Sequence, residues 1–241
     1  MTKNKMMRAA LALLVVTMLT MSIVSGTFAK YVTQGSATDS ARVAKFGVEV
    51  KAEGSLFSKT YAKGDNTPAS ANLSVESEEK VVAPGTKSAD AGMKLSVKGT
   101  PEVAVKVDFA VTAADDIVLK KADGLPNKTG VGEATFNNTA DYNPVKFTLK
   151  KGSDTLVNGG TLAKVKEALE ATTLSKEYAA GTNLDESIGD LVLTWEWKFD
   201  TENDKQDTLL GDLAAGTATI DSGLYKLNTA FAVTASVTQV D

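Results

Sequence analysis

Leu191-Val192-Leu193-Thr194-Trp195-Glu196-Trp197-Lys198-Phe199 puts Leu191, Leu193, Trp195, Trp197 and Phe199 on one side of an extended chain and Thr194, Glu196 and Lys198 on the other. Successive side chains of a pleated strand point to opposite sides, so a period of two marks a strand with one buried face. The same period runs through Val103, Val105, Val107, Phe109 and Val111, and again through Leu227, Thr229, Phe231, Val233, Ala235 and Val237. Shorter strand candidates are Val43 to Lys51, Leu56 to Tyr61, Met93 to Val97, Ile117 to Lys120 and Val145 to Lys150. Strands of this kind between turn-rich loops predict an all-β fold, an antiparallel sandwich with Greek-key or jelly-roll connections. Trp195 and Trp197, if exposed, would form a platform for stacking on sugar rings. Sharing a row with Leu191, Leu193 and Phe199, they are expected in the core, because that row would otherwise be a large apolar patch.

Two segments break the rhythm. Thr161 to Glu170 spaces Leu162, Val165 and Leu169 as a helix does, follows Gly159-Gly160 and opens on Thr161 as N-cap. Asp204 to Ala215, with Leu209, Leu210 and Leu213, is a second helical candidate interrupted by Gly211. One or two short helices are thus expected as insertions in the β-scaffold. Loops are expected at 63–71, 122–143 and 183–189, with Asp123 to Gly130 the longest surface excursion. No fixed-period repeat or long linker divides the chain, so residues 43–241 are expected to form one sandwich domain.

At the other end, Lys3, Lys5 and Arg8 precede an uncharged apolar run from Ala9 to Val24, and Ser25-Gly26-Thr27-Phe28-Ala29 supplies small residues for cleavage. This is the pattern of a secretory signal peptide over residues 1–29, a helix ahead of the β-domain, with the cut between Ala29 and Lys30. The run is shorter than the roughly 20 residues that span a bilayer, so contact with the membrane is expected only before cleavage. Three of the 26 Lys+Arg lie in this leader, leaving 23 against 30 Asp+Glu and an acidic exported protein. Bases interspersed with acids disfavour nucleic acid and anionic lipid as partners, which need clustered Lys and Arg.

Composition removes several chemistries. With no cysteine, no disulfide contributes to stability, and with no histidine no Ser-His-Asp or Cys-His arrangement, HExxH site or three-histidine zinc site can be drawn. The expectation is a protein that is not an enzyme and needs no cofactor. Asp200, Glu202, Asp204 and Asp207 place oxygen ligands close together and form a weak Ca²⁺ candidate, but neither the glycine nor the closing glutamate of an EF-hand loop is there. A solvated turn, with Asp204 or Asp207 capping the next helix, fits them better. Glu76-Ser77-Glu78-Glu79 and Asp115-Asp116 are expected to be solvated charge. Asn72, Asn127 and Asn137 sit in glycosylation sequons, a motif common by chance. No phosphate-binding glycine motif occurs, and the closing Thr238-Gln239-Val240-Asp241 carries no sorting signal or hydrophobic tail.

Gly26-Thr27-Phe28-Ala29-Lys30-Tyr31, followed by Asp39-Ser40-Ala41-Arg42-Val43-Ala44-Lys45-Phe46-Gly47-Val48-Glu49-Val50, resembles the export junction and first strand of the TasA/camelysin proteins. Val82-Ala83-Pro84-Gly85-Thr86-Lys87 is similar to that family's Pro-Gly turn and following strand. The resemblance implies cleavage by a SipW-like signal peptidase. It also implies a jelly-roll subunit of an extracellular biofilm fibre in Gram-positive bacteria, located in the matrix or at the cell surface, with itself and other matrix components as partners. Residues 30–42 would then be a flexible arm in which Lys30, Tyr31, Val32, Thr33 and Gln34 donate a strand to the next subunit. Strand donation from head to tail does not close on itself and yields a filament. The metalloprotease label carried by camelysin is not expected to transfer to a chain without histidine. The alternative expectation is a monomeric secreted adhesin or carbohydrate-binding module.

Overall fold

The alternating segments pair as strands. The computed structural model of the chain describes residues 42–58, 62–63, 80–89, 91–127, 134–199 and 202–240, and Ala44–Asp241 form one unit. In order, the elements are β1 (Val48–Gly54), β2 (Ala62–Lys63), β3 (Thr86–Lys87), β4 (Met93–Gly99), β5 (Val105–Asp115), β6 (Val118–Leu119), β7 (Ala122–Asn127), β8 (Ala134–Asn138), β9 (Val145–Lys151) and β10 (Asp154–Gly160). There follow α1 (Leu162–Glu170), β11 (Lys176–Tyr178), α2 (Leu184–Ser187), β12 (Gly189–Trp197), α3 (Asp204–Ala214), a 3₁₀ turn (Ser222–Leu224), β13 (Tyr225–Lys226) and β14 (Ala230–Gln239).

All described pairings are antiparallel. β12 is the hub of the first sheet, with β9 along one side and, on the other, β4 against its first half and β3 against its end. β1 lies beyond β4, β2 beyond β3 and β10 beyond β9. The second sheet is β11-β5-β14, and two small ribbons, β6–β13 and β7–β8, complete the ladders.

The inner row of β12 is buried as its pattern requires, with Leu191, Leu193, Trp195 and Trp197 meeting Val105, Val107, Phe109 and Val111 of β5 in one core. Each such side chain taken out of water stabilises the fold by about 1.5–3 kcal/mol. Trp195 and Trp197 are 2% and 5% exposed, so neither serves as a sugar platform. The Trp195 indole N–H donates to the Leu56 carbonyl at 2.7 Å, as a buried Trp must find a polar partner. Phe199 is 41% exposed because β12 ends at Trp197, two residues before it.

α1 forms where its spacing places it. Leu162, Val165 and Leu169 are buried and the Thr161 side chain accepts from the Lys164 amide at 3.4 Å. α3 forms with Leu209, Leu210 and Leu213 buried, but its N-cap is Asn203, which makes no side-chain cap bond.

Several expectations are corrected. Leu56–Ser58 bend rather than extend, because Leu56 turns inward to meet Trp195, and 59–61 lie outside the described residues. The strand expected over Ile117 to Lys120 shrinks to the two residues of β6, which pair with β13. The expected loop at 122–143 contains the β7–β8 ribbon. Pro126 is tolerated there because a two-stranded ribbon has a free edge on each side, and Leu125 and Phe136 pack into the core. The 183–189 loop contains α2, opened by the Asn183 side chain accepting from the Asp185 amide. Asp115 and Asp116 are not merely solvated: Asp115 pairs with Lys226 at 2.6 Å and Asp116 accepts from the Leu162 amide at 2.9 Å, at the start of α1. Burial pushes the Asp116 carboxyl up from its ordinary value.

Candidate functional site

β5 is the central strand of its sheet, and the treatment of its two sides differs. Along one side, β11 pairs with residues 105–107. Where β11 ends, side chains take over: the Phe109 amide donates to Ser175 Oγ at 3.0 Å, the Val111 amide to Glu170 Oε1 at 2.9 Å, and Lys166 Nζ donates to the Val111 carbonyl at 3.3 Å. Glu170 and Lys166 belong to α1, so a helix closes this edge, one of the ways proteins keep a sheet from growing.

Along its other side β5 pairs with β14, and nothing among the described residues pairs with the far side of β14. The parity of the ladder follows from the Val240 amide bonding to the Ala104 carbonyl, which are partners in the same register. Antiparallel pairs alternate between bonded and unbonded, so Thr234, Ser236 and Thr238 bond to β5. The N–H and C=O groups of Val233, Ala235, Val237 and Gln239 therefore point outward, a row of backbone groups in place to receive a strand. The side chains of Phe231, Val233, Ala235 and Val237 lie on the core side but are only half-buried.

β1 ends the opposite sheet on the same flank, and Cα atoms of β1 and β14 come within 8 Å without pairing. Its partner row shows where its side chains face. Val50 sits opposite Val97 and Ala52 opposite Leu95, both buried. Val50 itself is 40% exposed and Ala52 is open to solvent. The inner row of β1 is therefore only partly covered, with Val48 packed against the core and Val50 and Ala52 exposed, while its outer face carries Glu49, Lys51 and Glu53, with Lys51 and Glu49 paired at 2.7 Å. Among the described residues, this flank thus combines backbone groups of β14 that no strand pairs with and the exposed side chains of Val50 and Ala52 on β1.

The residues singled out from the sequence are distributed unevenly over this picture. Ala29, Lys30, Tyr31, Val32, Thr33 and Gln34 lie outside the described residues, as does Asp200. Glu202 is exposed and Asp204 begins α3. Asp207 accepts from Tyr142 Oη at 2.6 Å and from the Trp197 indole N–H at 3.2 Å through the same oxygen, tying α3 to the end of β12. Among the described residues no three carboxylates converge as a metal site. The only trace of the β14 edge in the sequence is that Ala235, Ser236 and Thr238 are small for a central strand. Comparison with family models gives no match, and searches of curated proteins and of solved structures give none either.

Proposed function

We propose that this chain is a secreted structural subunit of an extracellular fibre, in which Lys30-Tyr31-Val32-Thr33-Gln34 of one copy adds as a strand to β14 of the next. The observation that supports this reading is the asymmetry of the second sheet, covered on one side by β11 and α1 and, among the described residues, unpaired on the other along the ten residues of β14. A strand laid beside β14 would satisfy its outward backbone groups and cover the inner row of β1, removing two liabilities together. An edge of this length that no described strand covers would invite unspecific aggregation if left bare, so a dedicated occupant is the economical explanation. The resemblance of the export junction to TasA/camelysin proteins supports the same direction, as does the absence of cysteine and histidine, which leaves backbone pairing and apolar burial as the means of association.

The test is assembly of the exported chain beginning at Lys30. On concentration or a change of pH it forms filaments visible by electron microscopy, and deletion of Lys30–Gln34 leaves a folded monomer. A full-length chain that stays monomeric under all conditions, or a deleted one that polymerises equally well, overturns the proposal.

A further inference from the structure

The face of β9 and β12 turned away from the core concentrates positive charge in a chain of net charge −4. It carries a groove of about 830 Å³, floored by Thr148 and Thr194, rimmed by Lys146, Lys150 and Lys198, and bounded on one side by Asn158 and Gly159 of β10. The Gly159 amide reaches Thr148 Oγ1 at 3.4 Å, which fixes that wall against the floor. Glu196, the one carboxylate among the described residues that line the groove, stands in register between Lys146 on β9 and Lys87 on β3. Among the described residues, four lysines against one glutamate leave the lining positive, with Asp116 within electrostatic reach of Lys146.

These lysines differ from their neighbours on the same sheet. Lys94 and Lys98 both close on Asp190, at 2.8 and 2.9 Å, whereas Lys146, Lys150 and Lys198 have no ion-pair partner among the described residues. Holding like charges together on one rigid face costs repulsion that an anionic ligand would relieve.

The shape and chemistry narrow the ligand. Lys146 and Lys150 are four residues apart on an extended strand, roughly 13 Å, so the charges follow a line. Threonine hydroxyls and the Asn158 amide between them suit hydroxyl groups. Trp195 contributes to the lining, but its indole is turned to the Leu56 carbonyl inside the core, so no aromatic face is offered for stacking on neutral sugars or nucleobases. We propose that this groove binds an extended, hydroxyl-bearing anionic polymer, its carboxylates or phosphates meeting Lys146, Lys150 and Lys198 and its hydroxyls meeting Thr148, Thr194 and Asn158. This site lies on the outer face of the first sheet and does not depend on strand addition at β14.

The test is fluorescence anisotropy of labelled polygalacturonate and poly(glycerol phosphate) on the full chain expressed with its own leader, with dextran, polyglutamate and single-stranded DNA as comparisons. At least one of the first two binds, weakens with added salt, and loses about tenfold or more in the combined Lys146→Ala, Lys150→Ala, Lys198→Ala variant. Which of the two binds distinguishes a uronic acid from a polyol phosphate source. The combined Lys120→Ala, Lys226→Ala variant, with the same sign of charge change elsewhere, binds as the parent does, and thermal melting checks that both variants fold. Failure of both acidic polymers to bind, an unchanged affinity in the groove variant, or equal binding of dextran, polyglutamate or DNA overturns the proposal.

Discussion

The Val111 amide donates to Glu170 Oε1 at 2.9 Å, joining the end of α1 to the central strand of the second sheet across 59 positions of sequence. This bond does the work of a missing strand, since β11 reaches only as far as Val107. Glu170→Ala removes the acceptor and leaves a sheet amide without a partner, which costs about 1–3 kcal/mol. Glu170→Gln keeps an oxygen in place and recovers most of the loss. Urea unfolding midpoints of the three proteins measure this, and an alanine variant as stable as the parent would show that water replaces the carboxylate without cost.

Asp190 gives the fold a dependence on pH at its acid end. Hydrogen bonds from Lys94, Ser96 and Lys98 hold its carboxyl well below the ordinary value of about 3.8. A carboxyl that ionises more readily when folded contributes stability above the unfolded value, and that contribution disappears as pH falls through the folded one. The melting temperature of the parent should exceed that of Asp190→Asn by a constant margin near neutrality. The margin should narrow as pH drops below about 4. Solvent reaches a third of the side chain, so the margin is small. A gap that widens on acidification would contradict the assignment.

Much of this fold is readable from residue order, and the reasons for the rest are physical. β5, β9 and β12 carry an alternation that only a strand with one buried face explains, and the Thr161 cap with Leu162, Val165 and Leu169 defines α1. β10 is illegible because Thr155-Leu156-Val157-Asn158-Gly159-Gly160 pairs through two register shifts, leaving no period of two. β7 hides behind Gly124 and Pro126, residues that ordinarily mark turns. The open flank is legible only in part. Val48, Val50 and Ala52 alternate with Glu49, Lys51 and Glu53, which announces a strand. Whether that strand lies at an edge depends on pairing over long distances, which no local pattern encodes.

Gly92 explains why β3 and β4, consecutive in the chain, meet β12 as two separate strands. Its backbone has φ +51, and a Cβ at this position would run into the Leu193 carbonyl oxygen, within the backbone of β12 itself. Neither a left-handed conformation nor a clash with a neighbouring main chain can be relieved by moving a side chain. Gly92→Ala should therefore destabilise by at least about 1–3 kcal/mol. Gly152→Ala, also at positive φ but with open space around it, should lose less. Denaturant midpoints compare the two, and equal losses would mean that φ alone matters at both sites.

The parity of β14 makes two neighbouring prolines opposite in effect. Thr234 bonds to β5, so Thr234→Pro breaks a ladder bond inside the sheet and should lower stability markedly. Ala235 points its N–H outward, and Ala235→Pro removes a donor that no described residue of the chain uses, as prolines on natural edge strands do. The Ala235→Pro chain should fold, melt near the parent temperature and fail to elongate, because the added strand would lose an acceptor's N–H and meet the pyrrolidine ring. Circular dichroism reports the fold and light scattering the elongation. If Ala235→Pro assembles as readily as the parent while remaining folded, β14 is not the edge that receives the strand. The outward row of β1, at Val48, Val50 and Ala52, would be the next one to block.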